Sequence, residues 1–281
     1  MRAAAILGPG NLSKTVTAFQ HATGAQWTSL IEQADAAVIF GGDGTIHHQL
    51  PTLVDLDVPL LVVPCGSGND FARALGLRTP KDSRAAWRRF AGGANNVRLI
   101  DLGIIHPARE PSAPQYFCCV AGIGLDGEIA RRANNLPRWI RAHGGYALSA
   151  PREFVRFAPF PMRISSNGST AESFKPTILA AIANAPAYGG GMKIAPRAKL
   201  DDGKLDLCMV RAMDVFKLFC LFPTVYFGRH LGFEEVEYEQ SASIKIETEC
   251  PFDVYADGEF VCQTPVEFSV ARSALKVIVP E

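Results

Sequence analysis

Long apolar runs are missing from this sequence. No uncharged stretch approaches the roughly 20 residues needed to span a bilayer, and the apolar run near the N-terminus, Ala3–Leu7, is too short for a signal-peptide core. The expected location is therefore cytoplasmic, with any membrane contact peripheral and on the inner face. An excess of one charge is missing too. The 28 Lys and Arg balance the 28 Asp and Glu, which argues against a protein that coats nucleic acid, and no nucleic-acid partner is expected. Cys-x-x-Cys pairs are absent as well. The seven cysteines (65, 118, 119, 208, 220, 250, 262) are odd in number and mostly sit in apolar runs, so they read as reduced core residues. There is no internal repeat and no low-complexity segment.

What is present is an ordinary globular composition, 48% hydrophobic and 20% charged over 281 residues, enough for two medium-sized domains. The first hundred residues alternate in an α/β manner. Strands are expected at about 2–7, 36–40 and 58–64, with helices near 12–22, after Thr45 and from about 70. Strands apolar at every position and separated by helices imply a parallel sheet covered on both faces. From about residue 96 the chain turns to short strands punctuated by Gly, Pro and Asp-Gly, such as "TILAAIANA", "KLDLCMV", "SIKIETE" and "VEFSVA". These suggest an antiparallel β domain. The boundary is placed in "GGANN", giving an α/β domain over 1–95 and a β domain over 96–281.

Two glycine-rich loops close apolar strands at the edge where a parallel sheet binds ligands. In "GGDGT", Gly41, Gly42, Asp43, Gly44 and Thr45, the glycines let backbone approach a ligand, and free amides of a following helix favour an anion. Phosphate is the natural guest. An aspartate there would repel phosphate unless a cation is shared, so Asp43 implies magnesium bridging to a nucleotide. The plain structural alternative is a tight turn with Thr45 as helix cap. "PCGSGNDFA", with Gly66, Ser67, Asn69 and Asp70, repeats the logic, its structural alternative being Asp70 as a helix N-cap. In "FDVYADGEFVC", Asp-Gly between alternating strands is a strong hairpin signal.

Six segments in order, "GGDGT" at 41–45, "PCGSGNDFA" at 64–72, "IDLG" at 100–103, "AGIGLDGEIA" at 121–130, "YGGGMKIAPRAKLDDGKLDL" at 188–207 and "DGE" at 257–259, resemble the diacylglycerol kinase catalytic-domain family of bacterial lipid kinases, related to sphingosine and ceramide kinases. "GGDGT" alone is also similar to motifs of NAD kinases and phosphofructokinases. The resemblance implies a Rossmann-like α/β N-terminal domain with a phosphofructokinase- or NAD-kinase-like parallel sheet and a C-terminal antiparallel β-sandwich. It also implies ATP and Mg2+ as cofactors, and transfer of the γ-phosphate to a lipid hydroxyl, diacylglycerol or a related lipid, in phospholipid metabolism.

Carried over by position, the resemblance assigns Gly41 to Thr45, Gly66, Ser67 and Asn69 to the nucleotide. Asp43, Asp70 and Asp101 become an acidic cluster around catalytic magnesium. Either Glu259 or Asp257 is the general base. A structural magnesium takes Asp202 with the carbonyls of Lys199 and Lys204. The family's N-terminal Asn-Pro-x-x-Gly is replaced by "LGPGNLSK", which makes Gly8, Gly10 and Asn11 the stand-in phosphate or ribose contacts, and Thr28 is the candidate on the adenine side. His47 and His48 replace the family's usual asparagine and glutamate, and no catalytic role is assigned to them.

Between 131 and 156, six arginines (131, 132, 138, 141, 152, 156) stand against Glu153 and interleave with Leu136, Trp139, Ile140, Tyr146 and Phe154. This mixture fits a helix on an anionic bilayer, or an ordinary solvated helix pair. "VFKLFCLFPTVYF" at 215–227 is a second candidate for the membrane contact, its apolar residues nearly all round reading more readily as a core helix than as a membrane anchor. The rivals to a lipid kinase are a kinase of a soluble acceptor, as in NAD kinases, and a non-catalytic nucleotide- or lipid-binding relative. Oligomeric state is open.

Overall fold

In the computed structural model, which describes residues 1–108, 114–134, 145–169 and 173–280, the first strands pair in parallel. β1 (Arg2–Leu7) lies between β2 (Gln26–Thr28) and β3 (Ala36–Gly41), and β4 (Leu60–Pro64) lies beside β3. β3 and β4 are buried at every position, as strands covered on both faces must be. On one face, Phe19 of α1 (Ser13–Thr23) packs edge-on against Phe40 and against Trp87 of α5 (Pro80–Ala91). α2 (Asp43–His47) begins inside the first glycine segment, so Thr45 lies within the helix and Gly42, not Thr45, is its N-cap. α4 (Asp70–Ala74) begins directly after the second glycine segment, with Asn69 as its N-cap, and α3 (Leu50–Leu56) follows α2. The α/β alternation expected of this half is therefore present, with β2 a short strand the residue pattern did not reveal.

The rest is antiparallel. β7 (Val120–Gly124), β9 (Lys175–Ala183), β8 (Phe160–Ser166), β12 (Ser243–Thr248) and β15 (Val266–Ile278) pair in that order, with β13 (Asp253–Ala256) and β14 (Glu259–Gln263) beyond β7. β10 (Leu205–Arg211) pairs with β9 and β11 (Val236–Ser241), and β6 (Gln115–Phe117) pairs with β5 (Val97–Pro107). Ile182, Leu207, Ile244, Val254 and Phe268 meet in a core of their own inside these strands. The expected combination of parallel α/β and antiparallel β architecture is what the chain adopts.

Two features join the halves. β5 and β15 run antiparallel along their lengths, and the end of β15, still paired with β5 on one edge, lies parallel to β4 on the other, Val277 opposite Leu60. Asn96 then ties the chain's end down, donating to the carbonyls of Ala86 and Val279. The expected single strand "YFCCVAGIGL" is interrupted at Cys118 and Cys119, whose amides turn to the Asp257 carboxylate instead of a neighbouring strand. All seven cysteines are free thiols, but Cys220 and Cys250 are exposed, so the core reading fails for those two.

Candidate active site

The two glycine loops pack back to back. A methyl group on Gly66 would stand 2.5 Å from Gly42 Cα, and one on Gly42 would stand 2.9 Å from Gly66 Cα. Only hydrogen fits at both places. The Thr45 hydroxyl fills the space against Gly8 and Gly41, where an added carbon at either would lie 2.7 Å from it. The "LGPG" turn after β1 thus meets the start of α2, and the loops after β1, β3 and β4 form one surface at the carboxyl ends of the strands. Gly10, at φ 121°, has open space around it. Ser67 is exposed. Asn69, in the left-handed region at φ 56°, folds its side chain back onto Gly66, accepting from its amide at 2.8 Å and donating to its carbonyl at 2.7 Å. Thr28 ends β2 opposite Ala4, three residues short of the carboxyl end of β1, with its hydroxyl accepting from the Leu30 amide.

Asp43 crosses from the first loop to the second. Its carboxylate accepts from the amides of Asp70 and Phe71 at 3.1 and 3.0 Å, capping α4. Burial, then the charge of Asp70, and more weakly that of Asp257, push its pKa up to about 6. Asp70 is itself buried and is held by Arg73 and by the Gly190 amide at 2.8 Å. That amide comes from "YGGGM", where Gly189, Gly190 and Gly191 all have positive φ and a bridge joins Tyr188 to Met192. A run of three glycines was the visible signal for this turn, since no other residue takes that backbone without strain. Asp43, whose proton affinity is raised, and the neighbouring Asp70 form a carboxylate donor set suited to a hard divalent cation.

Opposite the first loop stands the turn between β13 and β14. Asp257, at φ 51°, and Gly258, at φ 90°, make the expected hairpin. The Asp257 carboxylate is fully enclosed: it accepts from the amides of Cys118, Cys119 and Val120 at 2.9, 2.8 and 3.3 Å and meets His47 Nδ1 at 3.2 Å. Glu259 is placed differently. Its Oε1 lies 2.8 Å from where a Cβ on Gly44 would be, so it faces the glycine loop with its carboxylate at the start of α2. His47, unassigned from sequence, joins the two. Burial disfavours its charge, but the hydrogen bond to Asp257 and the charges of Asp257 and Glu259 outweigh this and raise its pKa. His48 is exposed.

Asp101 meets a different loop from Asp43 and Asp70. Its carboxylate accepts from the Gly203 and Ser273 amides, both at 2.7 Å. Lys199, Asp202 and Lys204 line one open polar cavity with Arg197, Tyr238 and Glu239. Asp202 accepts from the Lys204 amide at 3.1 Å.

An apolar cavity adjoins the glycine turn. Leu125, Ile129, Phe154, Met192, Leu221 and Phe222 contribute to its lining, and its polar members are Asp126 and Tyr188. The Tyr188 hydroxyl donates to Asp126, whose pKa burial drives up to about 7 despite that bond. Tyr188 belongs to the same glycine turn that holds Asp70, and Tyr226, after α8 (Val215–Val225), has its pKa raised by burial and by Asp70. Tyr188 therefore links the cavity wall to the turn whose Gly190 amide holds Asp70. Asp126, inside "AGIGLDGEIA" at the start of α6 (Leu125–Asn134), was the signal for it, but its partner lies far along the chain.

Two family descriptions match in tandem. Residues 11–103 match the diacylglycerol kinase catalytic domain, and residues 119–279 match the YegS C-terminal NAD kinase beta sandwich-like domain. A diacylglycerol kinase of Mycobacterium tuberculosis is 37% identical over 247 residues, covering 88% of this chain and 77% of that protein. The chain belongs to the diacylglycerol kinase family. Solved chains from Bacillus anthracis str. Sterne share the fold. One described as a diacylglycerol kinase aligns at TM-score 0.66 and 21% identity, over 99% of this chain and 96% of that one. Another aligns at TM-score 0.74 and 24% identity, over 99% and 97%.

Proposed function

We propose that this member of the family transfers the γ-phosphate of ATP to the free hydroxyl of diacylglycerol or a closely related lipid, with magnesium. The observation that carries the reading is the approach of Glu259 to Gly44, which sets a carboxylate against a glycine loop of phosphate-binding type. Gly41, Gly42, Gly44, Thr45, Gly66 and Ser67 offer backbone and hydroxyl groups to the nucleotide's phosphates. Gly10 extends that surface, Thr28 is the candidate on the adenine side, and Asn69 holds the second loop in shape. Asp43 and Asp70 would hold magnesium, which when bound neutralises phosphate charge.

Glu259 is the general base, taking the proton from the lipid hydroxyl as it attacks. Asp257 is not: its oxygens are engaged by backbone amides and His47, so it holds the turn in place. Asp101 arranges the loop at 199–204, where Asp202 and the carbonyls of Lys199 and Lys204 would hold a structural magnesium. The apolar cavity bordered by Asp126 and Tyr188, about 50 Å³ as it stands, would widen to take an acyl chain, and its Leu, Ile and Phe lining favours a lipid over a soluble acceptor. Among the described residues no helix is long and apolar enough to cross a membrane, so the lipid is reached by peripheral contact.

The test is transfer of labelled γ-phosphate from magnesium-ATP to mixed micelles holding diacylglycerol, monoacylglycerol, sphingosine or ceramide, with soluble acceptors alongside. Label on diacylglycerol, lost in Asp43→Asn and Glu259→Gln, is expected. Label on a soluble acceptor alone, or normal turnover by Asp43→Asn, would overturn it.

A further inference from the structure

Helix α8 has two apolar faces. Leu218, Leu221, Phe222 and Val225 line the cavity. On the other side Phe216, Phe219, Cys220 and Pro223 recur at i, i+3, i+4 and i+7, and all four are exposed. Phe216 is 79% exposed and Phe227, just past the helix, 72%. A stripe at helical spacing on the solvent side is the opposite of what the core reading of 215–227 expects, and large contiguous apolar exposure marks an interaction surface.

The neighbouring helix extends the patch and adds charge. α7 (Gly145–Arg156) packs on α8 through Phe154, whose ring meets Phe219 and Phe222 edge-on at 5.2 and 5.1 Å. Beside Phe154, Val155 is 68% exposed, flanked by exposed Arg152 and Arg156. Arg229 is exposed beyond the end of α8. None of these three arginines has an ion-pair partner among the described residues. Of the acids in the same segments, Glu153 pairs with Arg132, Glu235 pairs with Lys217 and Asp214 caps α8, while Glu234 is exposed. The result is apolar side chains with uncompensated cations beside them, on the outer surface of the wall that encloses the cavity.

We propose that this face, α8 with Phe227 and the Arg152–Arg156 turn of α7, docks on an anionic phospholipid bilayer. The aromatic side chains enter the headgroup region and the arginines meet lipid phosphates, as for an interfacial amphipathic helix. The charge of the patch selects a negatively charged surface over a second copy of this chain, whose corresponding face carries the same unpaired arginines. The inference rests on the lipid-kinase reading for its purpose, since a cavity behind the docked helix can receive a lipid from the bilayer. It moves the contact away from the arginine-rich segment as a whole: Arg131 and Arg132 are paired with Glu128 and Glu153, and Arg138, Arg141, Leu136, Trp139 and Ile140 lie outside the described residues.

The test is co-sedimentation of the full chain with vesicles of phosphatidylglycerol and phosphatidylcholine, compared with phosphatidylcholine alone. Phe216→Ser with Phe227→Ser, and separately Arg152→Glu with Arg156→Glu, are each expected to cut partitioning at least tenfold. Turnover of a short-chain, water-dispersed diacylglycerol should stay within twofold. A wild-type chain that does not sediment with the anionic vesicles, or variants that sediment as it does, would overturn the docking face. So would light scattering that shows the phenylalanine variant breaking a dimer while vesicle binding is unchanged, because the face would then belong to a second copy. Vesicle binding without phosphorylation of any lipid would instead overturn the proposed function and leave this surface standing.

Discussion

His47 Nδ1 lies 3.2 Å from the Asp257 carboxylate, which joins the helix that follows the glycine loop to the hairpin that carries Glu259. The two residues are 210 positions apart. The contact closes the proposed site, because α2 belongs to the parallel half and the hairpin to the antiparallel half. With Asp257 enclosed, His47 is, among the described residues, the side-chain cation that faces it.

Replacing His47 by Leu is expected to cost about 1–3 kcal/mol near pH 6, the range for leaving a buried charge with one partner fewer. A histidine pKa raised on folding contributes stability that is fully present below about 6.5 and is lost as pH rises through the folded value. The difference between wild type and His47→Leu in urea denaturation should therefore shrink from pH 6 to pH 9. A gap that stays constant or widens would show that the pair is not the source.

Asp257→Asn and Glu259→Gln should separate cleanly. The asparagine puts an NH2 group where one of two oxygens now accepts from backbone amides of 118–120, so a stability loss of roughly 1–3 kcal/mol is expected. Glu259→Gln meets no such donors. It should melt as wild type while kcat falls by about 10²–10⁴, the usual contribution of a general base. The reverse pattern, a stable inactive Asp257→Asn beside an active Glu259→Gln, would exchange the two roles.

Gly66→Ala places a methyl 2.5 Å from Gly42 Cα and must push the two loops apart. Overpacking of this kind costs about 1–3 kcal/mol. Because the displaced loops are the proposed phosphate surface, KM for ATP should rise at least tenfold with little change in KM for lipid. Gly10→Ala has no neighbour to meet, so any effect would come from its positive φ alone.

Asp126 makes the apolar cavity sensitive to pH. Its carboxyl is raised from 3.8 to about 7 by burial, so the folded state favours the protonated form. The stabilisation that this provides is complete below about pH 4 and is lost as pH rises to about 7, roughly 4 kcal/mol at most. Asp126→Asn should abolish that part of the pH dependence, measured as thermal midpoint from pH 4.5 to 8, and above pH 7 should melt higher than wild type.

The local chemistry of the chain was legible without the fold. Two strands, "AAVIFG" and "LLVVP", are apolar throughout because both faces are covered, and glycines close them where backbone must come near backbone. The Asp257-Gly258 hairpin and the change from α/β to short strands are equally local, set by turn geometry and side-chain period over a few residues. Long-range pairings were decided only in three dimensions. Asp43, Asp70 and Asp101 look equivalent along the sequence, yet two meet across adjacent loops while the third is drawn to Gly203 and Ser273. Asp257 and Glu259 sit on one short turn, and the break at Cys118 and Cys119 captures the first and leaves the second facing Gly44. Strand order brings residues 118, 257 and 47 together, and strand order follows from burying apolar surface across the whole chain, which no short window of sequence contains.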